Sequence, residues 1–332
     1  MPITGTDSDL PQRTRIYKTH SLDSTAWEAF EPRPGDVIIT TALKAGTTWM
    51  QTIVGNLIFQ DQEMPQPLWE LTPWLDACGG GTLEEKLELL EAQTHRRFLK
   101  THLPMDAIPY YPEAKYVYVG RDGRDVFMSL WNHYRHMHPD MIDRFNRTPE
   151  RAKDPFPVCP EDIREFFRMW ISRSWFSWEH EGYPFWSLFY HLQTWWEYRH
   201  LPNILFVHFN DLLADLDGQM RRIARYLDLE IDEAIWPALV DQATFQTMKA
   251  NAQNLVAGGG DFLIGGAKRF LHKGTNGRWK GVLTDEELDL YEKTATDRLS
   301  PAGKRWLEFG ASALDDWARR GLNSPAIPTK PS

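Results

Sequence analysis

Positive charge is not in excess in this 332-residue chain: 37 lysines and arginines stand against 46 aspartates and glutamates, a net charge of −9. A general nucleic-acid binder needs a basic face, so the balance argues against that class while leaving room for a local basic pocket. Cysteine is scarce as well. Cys78 and Cys159 are too few for a disulfide framework, which points to a reducing compartment. No apolar run approaches the ~18 residues that span a membrane. Met1 to Leu10 is polar and lacks the hydrophobic region of a signal peptide. A cytoplasmic protein without membrane or nucleic-acid partners is therefore expected. Repeats, low-complexity tracts and a clear linker are missing too. Residues 1–332 thus read as a single domain, with the core at about 30–320 and the ends less ordered.

What is present is an alternation of strands and helices. Asp36-Val37-Ile38-Ile39 reads as a short buried strand, and the apolar positions 50, 53, 54, 57 and 58 that follow recur at helical spacing. Gln60 to Gly81 reads as a loop and Leu83 to Arg96 as a charged amphipathic helix. Arg97 to Pro104 and Lys115 to Val119 are further strands, and Asp122 is placed to cap a helix running to His138. Asn146 to Pro160 is a proline- and charge-rich surface excursion, a candidate lid. Helices follow from Pro160 and from Trp186, then a fourth strand over Asn203–Phe209 and a helix over Asp211–Leu227. Gly258-Gly259-Gly260 and Gly265-Gly266 punctuate a long loop before a helical section that begins at Thr284. The order predicts an α/β fold, a doubly wound domain whose central parallel sheet is flanked by helices.

In such a sheet, ligands bind beyond the carboxyl ends of the strands. Lys44-Ala45-Gly46-Thr47-Thr48-Trp49 occupies one such end, between a strand and a helix. Backbone N–H groups, a positive helix end and a lysine together suit an anion. The lysine precedes the glycine, so the nucleotide-binding spacing G-x-x-x-x-G-K-[ST] is not met. An ordinary turn with a solvated lysine is the plain alternative. At a second strand end, alternation puts Lys100 and His102 on one face, where an imidazole can act as a base. A third end carries Arg121, suited to gripping a phosphate, with Ser129 two helical turns on.

Taken together, the Lys-x-Gly-Thr-Thr-Trp loop, Lys100-Thr101-His102-Leu103-Pro104, Gly120-Arg121 with Ser129, and His272-Lys273-Gly274 with Trp279-Lys280 resemble the cytosolic sulfotransferase family. The resemblance spans roughly residues 36 to 281. It implies a nucleotide-kinase-like fold and 3′-phosphoadenosine 5′-phosphosulfate (PAPS) as co-substrate, with 3′,5′-adenosine bisphosphate (PAP) as product. It implies His102 as catalytic base, with Lys44 and Lys100 assisting transfer to the hydroxyl or amine of a small acceptor. For the nucleotide it implies Lys44, Ala45, Gly46, Thr47, Thr48, Trp49, Arg121, Ser129, Phe209, Thr244, Phe245, His272, Lys273 and Gly274. Departures are visible. His272 stands where the family usually has arginine, Arg278 replaces an aspartate, Phe209 a tyrosine, and Asp285 the valine of a dimer motif after Lys280 and Thr284.

Sulfuryl transfer resembles loose, in-line phosphoryl transfer, so positioning and positive charge carry it. No His/Cys/Asp spacing suggests a metal, and none is expected. Fifteen tryptophans, six of them within 170–196, pack a core or line an apolar acceptor pocket. Trp69, Trp74, Phe156, Trp175, Trp178 and Phe185 are the candidates for that pocket. Two other readings compete: a non-catalytic nucleotide-binding protein of the same fold, and an ATP-dependent small-molecule kinase.

Overall fold

Parallel strands buried on both faces need near-continuous apolar sequence, and four runs of this kind pair into a sheet. They are β1 (Val37–Thr41), β2 (Phe98–Thr101), β3 (Lys115–Gly120) and β4 (Ile204–His208). Their order is β2-β1-β3-β4 and every pairing is parallel. The computed structural model describes residues 10–60, 64–147, 154–314 and 322.

Alternation along each strand sends side chains to two cores. Val37, Ile39, Val119 and Val207 face one side, against Met50 and Ile53 of α1 (Thr47–Phe59) and Met220 and Ile223 of the helix Leu216–Tyr226. Ile38, Leu99, Tyr118 and Phe206 face the other, against Phe127 of α2 (Gly123–Arg135), Trp195 and Trp306. Helices on both faces make the sheet doubly wound, as the alternation of elements predicts.

Chain order decides where the site lies. From β1 the chain goes to β2 on one side, then crosses back to β3 on the other. The crevice between the carboxyl ends of β1 and β3 is the switch point where open α/β sheets bind ligands. Register brings the ends level: Thr41 pairs with Val119, Thr40 with Thr101, and Gly120 with His208.

Several boundaries differ from the sequence reading. The helix from Leu83 stops at Glu91, because Arg96 and Arg97 are drawn to the base of the sheet. Arg96 donates to the Gly35 carbonyl at 2.6 Å, and buried Arg97 pairs with Asp36 at 2.5 Å. Asp122 caps α2 as expected, accepting from the Arg124 amide. The helix expected over 211–227 is two, Phe209–Ala214 and Leu216–Tyr226, broken at Asp215, whose carboxylate caps the second. A helix, Leu68–Leu71, lies in the segment expected as loop. Another, Gly266–Phe270, interrupts the glycine-rich loop before Thr284 and carries Phe270 to the site. Thr284 and Glu287 form a capping box that starts the helix Asp285–Arg298. Six residues of the candidate lid, 148–153, lie outside the described residues, as do 1–9, 315–321 and 323–332 at the chain ends. Residues 10–29, by contrast, are described, with a 3-10 helix at Ser24–Ala29 and Tyr17, Leu22 and Trp27 buried in the core.

Gly120 ends β3 just before Arg121, and a Cβ built there would lie 2.3 Å from the Trp306 ring. Gly120→Ala should therefore destabilise the protein by about 1–3 kcal/mol through overpacking, read by urea denaturation. A loss below about 0.5 kcal/mol would mean that Trp306 is not held against this strand end.

Candidate active site

The loop from β1 is built to approach an anion. Lys44 has φ +68° and Gly46 φ +125°, so the chain turns sharply before α1 begins at Thr47. Gly46 cannot readily be anything else, since a Cβ would sit 3.2 Å from Phe209 in a backbone conformation that side chains resist. No side chain caps α1 at Gly46, so its first amides are available to a ligand. Lys44, Gly46, Thr47, Thr48 and Trp49 line a cavity of about 870 Å³. Ala45 does not: it is buried in the core. Trp49 is held by donating to the Ala243 carbonyl at 2.8 Å and packs edge-on to Phe209, ring centroids 5.0 Å apart.

His102 follows the last residue of β2 and lies buried in the same cavity. Its Nδ1 is 2.8 Å from the Thr41 carbonyl oxygen, which can only accept. Nδ1 therefore carries the proton in the neutral ring, and Nε2 keeps its lone pair. Trp74 stands edge-on to the imidazole, ring centroids 4.9 Å apart, and Trp186 is tilted to it at 6.0 Å. Burial, reinforced by Lys100 and Lys44, pushes the imidazole down to about 3, against the opposing Thr41 bond.

Two lysines share the cavity with it. The Lys44 ammonium lies 3.5 Å from the centroid of the Phe270 ring. Burial first, then the charges of Arg121, Lys100 and Arg278, lower it to about 7. Lys100 lies 5.4 Å from the Trp74 ring, and burial lowers it to about 8 despite the attraction of Asp76.

Arg121 leaves β3 buried, 4.1 Å from the Phe209 ring. Its Nε and Nη2 donate to the Asn276 side-chain oxygen at 3.0 and 2.9 Å, and Nη2 also to the Thr275 carbonyl. Burial lowers it to about 10. Asp125, in the first turn of α2, accepts from the Gly277 amide at 3.0 Å and the Arg278 amide at 3.4 Å. Arg124 is ion-paired to Asp122 at 2.6 Å, 4.3 Å from the Trp279 ring. Ser129, Phe209, Thr244, Phe245, Lys273 and Gly274 all reach the cavity wall. His272 reaches it too, lowered to about 4 by burial and the nearby Arg278 and Lys273 charges. It is therefore neutral at pH 7 in the free protein.

Lys44, Lys100, Arg121, Lys273 and Arg278 thus line one cavity at the carboxyl ends of the strands. With that geometry in place, residues 34–302 match the model of the sulfotransferase domain family. The chain belongs to the sulfotransferase family. It is accordingly an enzyme of the PAPS-dependent type, which sets aside the kinase reading. The sulfotransferase is 30% identical over 330 residues to a glycolipid sulfotransferase of Mycobacterium bovis, covering 93% of this chain and 99% of that one. It is 29% identical to sulfotransferase 1A1 of Rattus norvegicus over 288 residues, 82% and 87% of the two chains. Retinol dehydratase, solved with androsterone and inactive cofactor PAP, aligns with a TM-score of 0.63 at 24% identity, covering 83% and 84%. Mouse sulfotransferase SULT7A1, solved with PAP, aligns at 0.62 and 19%, covering 84% and 89%. At these identities the two structures show a shared fold.

The sulfotransferase's aromatic wall is only half as anticipated. Trp69, Trp74 and Phe185 line the cavity, whereas Phe156, Trp175 and Trp178 do not and pack outside it. Sequence reasoning misses Asp76, a buried carboxylate that accepts from Trp27 at 2.7 Å, from Thr101 at 2.6 Å and from Trp74. Asp76 thereby sets the Trp74 ring against His102 and Lys100. Burial raises it to about 6, against its three hydrogen bonds and Lys86. Its donors come from separate segments, so no local spacing could have revealed it. No group of three or more His, Cys, Asp or Glu able to hold a metal occurs among the described residues, and no helix there is long and apolar enough to cross a membrane.

The His102 ring should stay in its neutral Nδ1–H form throughout pH 5–8. Imidazole ¹⁵N spectra, assigned by comparison with His102→Gln, check this. A titration midpoint near 6.5 would contradict the described environment.

Proposed function

We propose that this sulfotransferase moves a sulfuryl group from PAPS to the hydroxyl, or amine, of a small hydrophobic or aromatic acceptor, with His102 as general base. The observation that carries the reading is the His102 ring. Its proton is engaged by the Thr41 carbonyl and its Nε2 is unprotonated, in a cavity shared with Lys44, Lys100 and Arg121. The donor set suits a polyanion: all three cations are lowered by burial, Lys44 also by Arg121 and Lys100, and Asp76 and Asp125 are too few to neutralise them. Bound there, PAPS would supply an electrophilic sulfur on a bisphosphate leaving group.

The chain's own residues then divide the work. The α1 amides, Thr47, Thr48 and Lys44 hold the 5′ side, and Lys44 stabilises charge developing on the departing oxygen. Arg121 and Ser129 hold the 3′-phosphate, while Trp49, Phe209, Thr244 and Phe245 take the adenine. Nε2 of His102 receives the acceptor proton as the acceptor oxygen bonds to sulfur and the bridging oxygen leaves. Trp74, Phe185, Trp186 and Met137 offer the acceptor an apolar wall. The volume of about 870 Å³ lies within the range of about 300–1,000 Å³ usual for small-ligand sites. The glycolipid-sulfating relatives support an alcohol with an apolar body.

His102→Ala should lower turnover by about 10²–10⁴-fold while PAP binding, followed by calorimetry, changes little. Near-wild-type turnover would remove His102 from the base role; absent turnover in the wild type across a phenol and alcohol panel would favour a non-catalytic binder. Lys44, lowered to about 7 in the free protein, is driven to its charged form by an adjacent anion. PAP binding should therefore take up protons above pH 7 and weaken as pH rises from 7 to 9. Calorimetry in buffers of differing ionisation enthalpy measures the uptake, and zero uptake at pH 8 would contradict contact between Lys44 and the ligand.

A further inference from the structure

We propose that Arg278 is a second guanidinium of the 3′-phosphate pocket, oriented by His272 and acting beside Arg121. This deepens the PAPS reading and rests on it. Arg121 is not wholly available to a ligand: Nε and Nη2 are engaged by Asn276 and Thr275, and Nη1 lies 3.4 Å from the Lys44 carbonyl. Asn276 is itself anchored to Asn210 and lies outside the cavity lining, so it braces Arg121 from behind.

Arg278 is differently placed. It lines the cavity together with Lys44, Arg121 and Ser129. Its buried Nε has no hydrogen-bond partner among the described residues. A buried donor without a partner is destabilising, so a group that would satisfy it is expected. Arg278 lies near enough to both Lys44 and Arg121, with which it shares the cavity, for its charge to act on each. Asp125 is the nearby carboxylate, but its oxygens already accept the Gly277 and Arg278 amides, which fixes the loop rather than the guanidinium. Nη1 of Arg278 lies 3.5 Å from Nδ1 of His272, and a neutral imidazole accepts there. His272 is then a positioning residue for Arg278 instead of a phosphate ligand. A guanidinium presents several N–H groups in a fixed fork that matches phosphate oxygens.

The test is calorimetric binding of PAP and of 5′-AMP, at fixed salt, to the full chain and to Arg278→Ala, Arg278→Lys and His272→Asn. Arg278→Ala should lose about tenfold or more in affinity for PAP and less than about twofold for 5′-AMP. Arg278→Lys should recover only part of the loss, because the fork is gone. His272→Ala, measured alongside, should lose PAP affinity more than 5′-AMP affinity, and His272→Asn, which keeps an acceptor, should recover part of it. Equal PAP affinity in the His272→Ala variant and wild type would remove His272 from the positioning role. For Arg278→Ala the outcomes read as follows. Equal losses for both ligands would overturn the assignment to the 3′-phosphate, and no loss would overturn the contact itself. If Arg278→Ala does not fold, Arg278→Lys with unchanged PAP affinity is the overturning result. A wild type that binds PAP no better than 5′-AMP would sink the donor reading and this inference with it. A preference kept in the wild type and lost only on changing Arg278 supports both.

Discussion

Crowded positive charge at the carboxyl ends of the sheet is the constraint on which the site depends. Lys44, Lys100, Arg121 and Arg278 share one crevice, and each is shifted toward releasing its proton by burial, several also by one another. Such an arrangement is unfavourable in the free protein. It is tolerable because rigid supports hold each charge: a left-handed turn at Lys44, the Trp74 ring at Lys100, and Asn276 at Arg121. The same unfavourable energy becomes selectivity for a polyanion, since a bound phosphate relieves it. A chain of overall negative charge can therefore carry a strongly basic site, provided the fold concentrates a few cations.

The protonation state of His102 follows from the same crowding. An imidazole exposed to water would be partly protonated near neutral pH; burial keeps the ring free to accept a proton but makes it a weaker base until a bound anion offsets the lysine charges. His102 is kept neutral by burial and by two neighbouring lysines, and its tautomer is set by a backbone carbonyl that can only accept. Asp76 adds a further layer of support: a buried carboxylate tied to Trp27, Trp74 and Thr101 keeps the wall beside His102 in place. A ring positioned by others needs little reorganisation when a proton arrives.

The loop near residues 272–278 shows how far residue identity alone misleads. His272 occupies the position from which a charge is expected, yet it is neutral, and the guanidinium nearby comes from Arg278. Asp125 lies in the first turn of α2, yet it accepts amides from that distant loop. Of the aromatic residues suggested by composition, Trp69, Trp74 and Phe185 reach the cavity, while Phe156, Trp175 and Trp178 pack elsewhere. Asp125 and its partner Gly277 are 152 residues apart, and for His272 and the aromatic residues burial and side-chain direction depend on packing that spacing does not encode.

By itself the sequence determined the sheet and the strand ends. Apolar runs such as Val37–Ile39 and Lys115–Val119 must be buried strands, and alternation with helices leaves a parallel sheet as the way to bury them. The Lys44–Trp49 loop, His102 and Arg121 were legible because strand-to-loop boundaries are local and chemistry collects there. Only tertiary structure decided which cations face one another, which proton His102 holds, and what orients Arg121 and Arg278. Those properties are set by burial and by hydrogen bonds between distant segments, and neither quantity is written in local sequence.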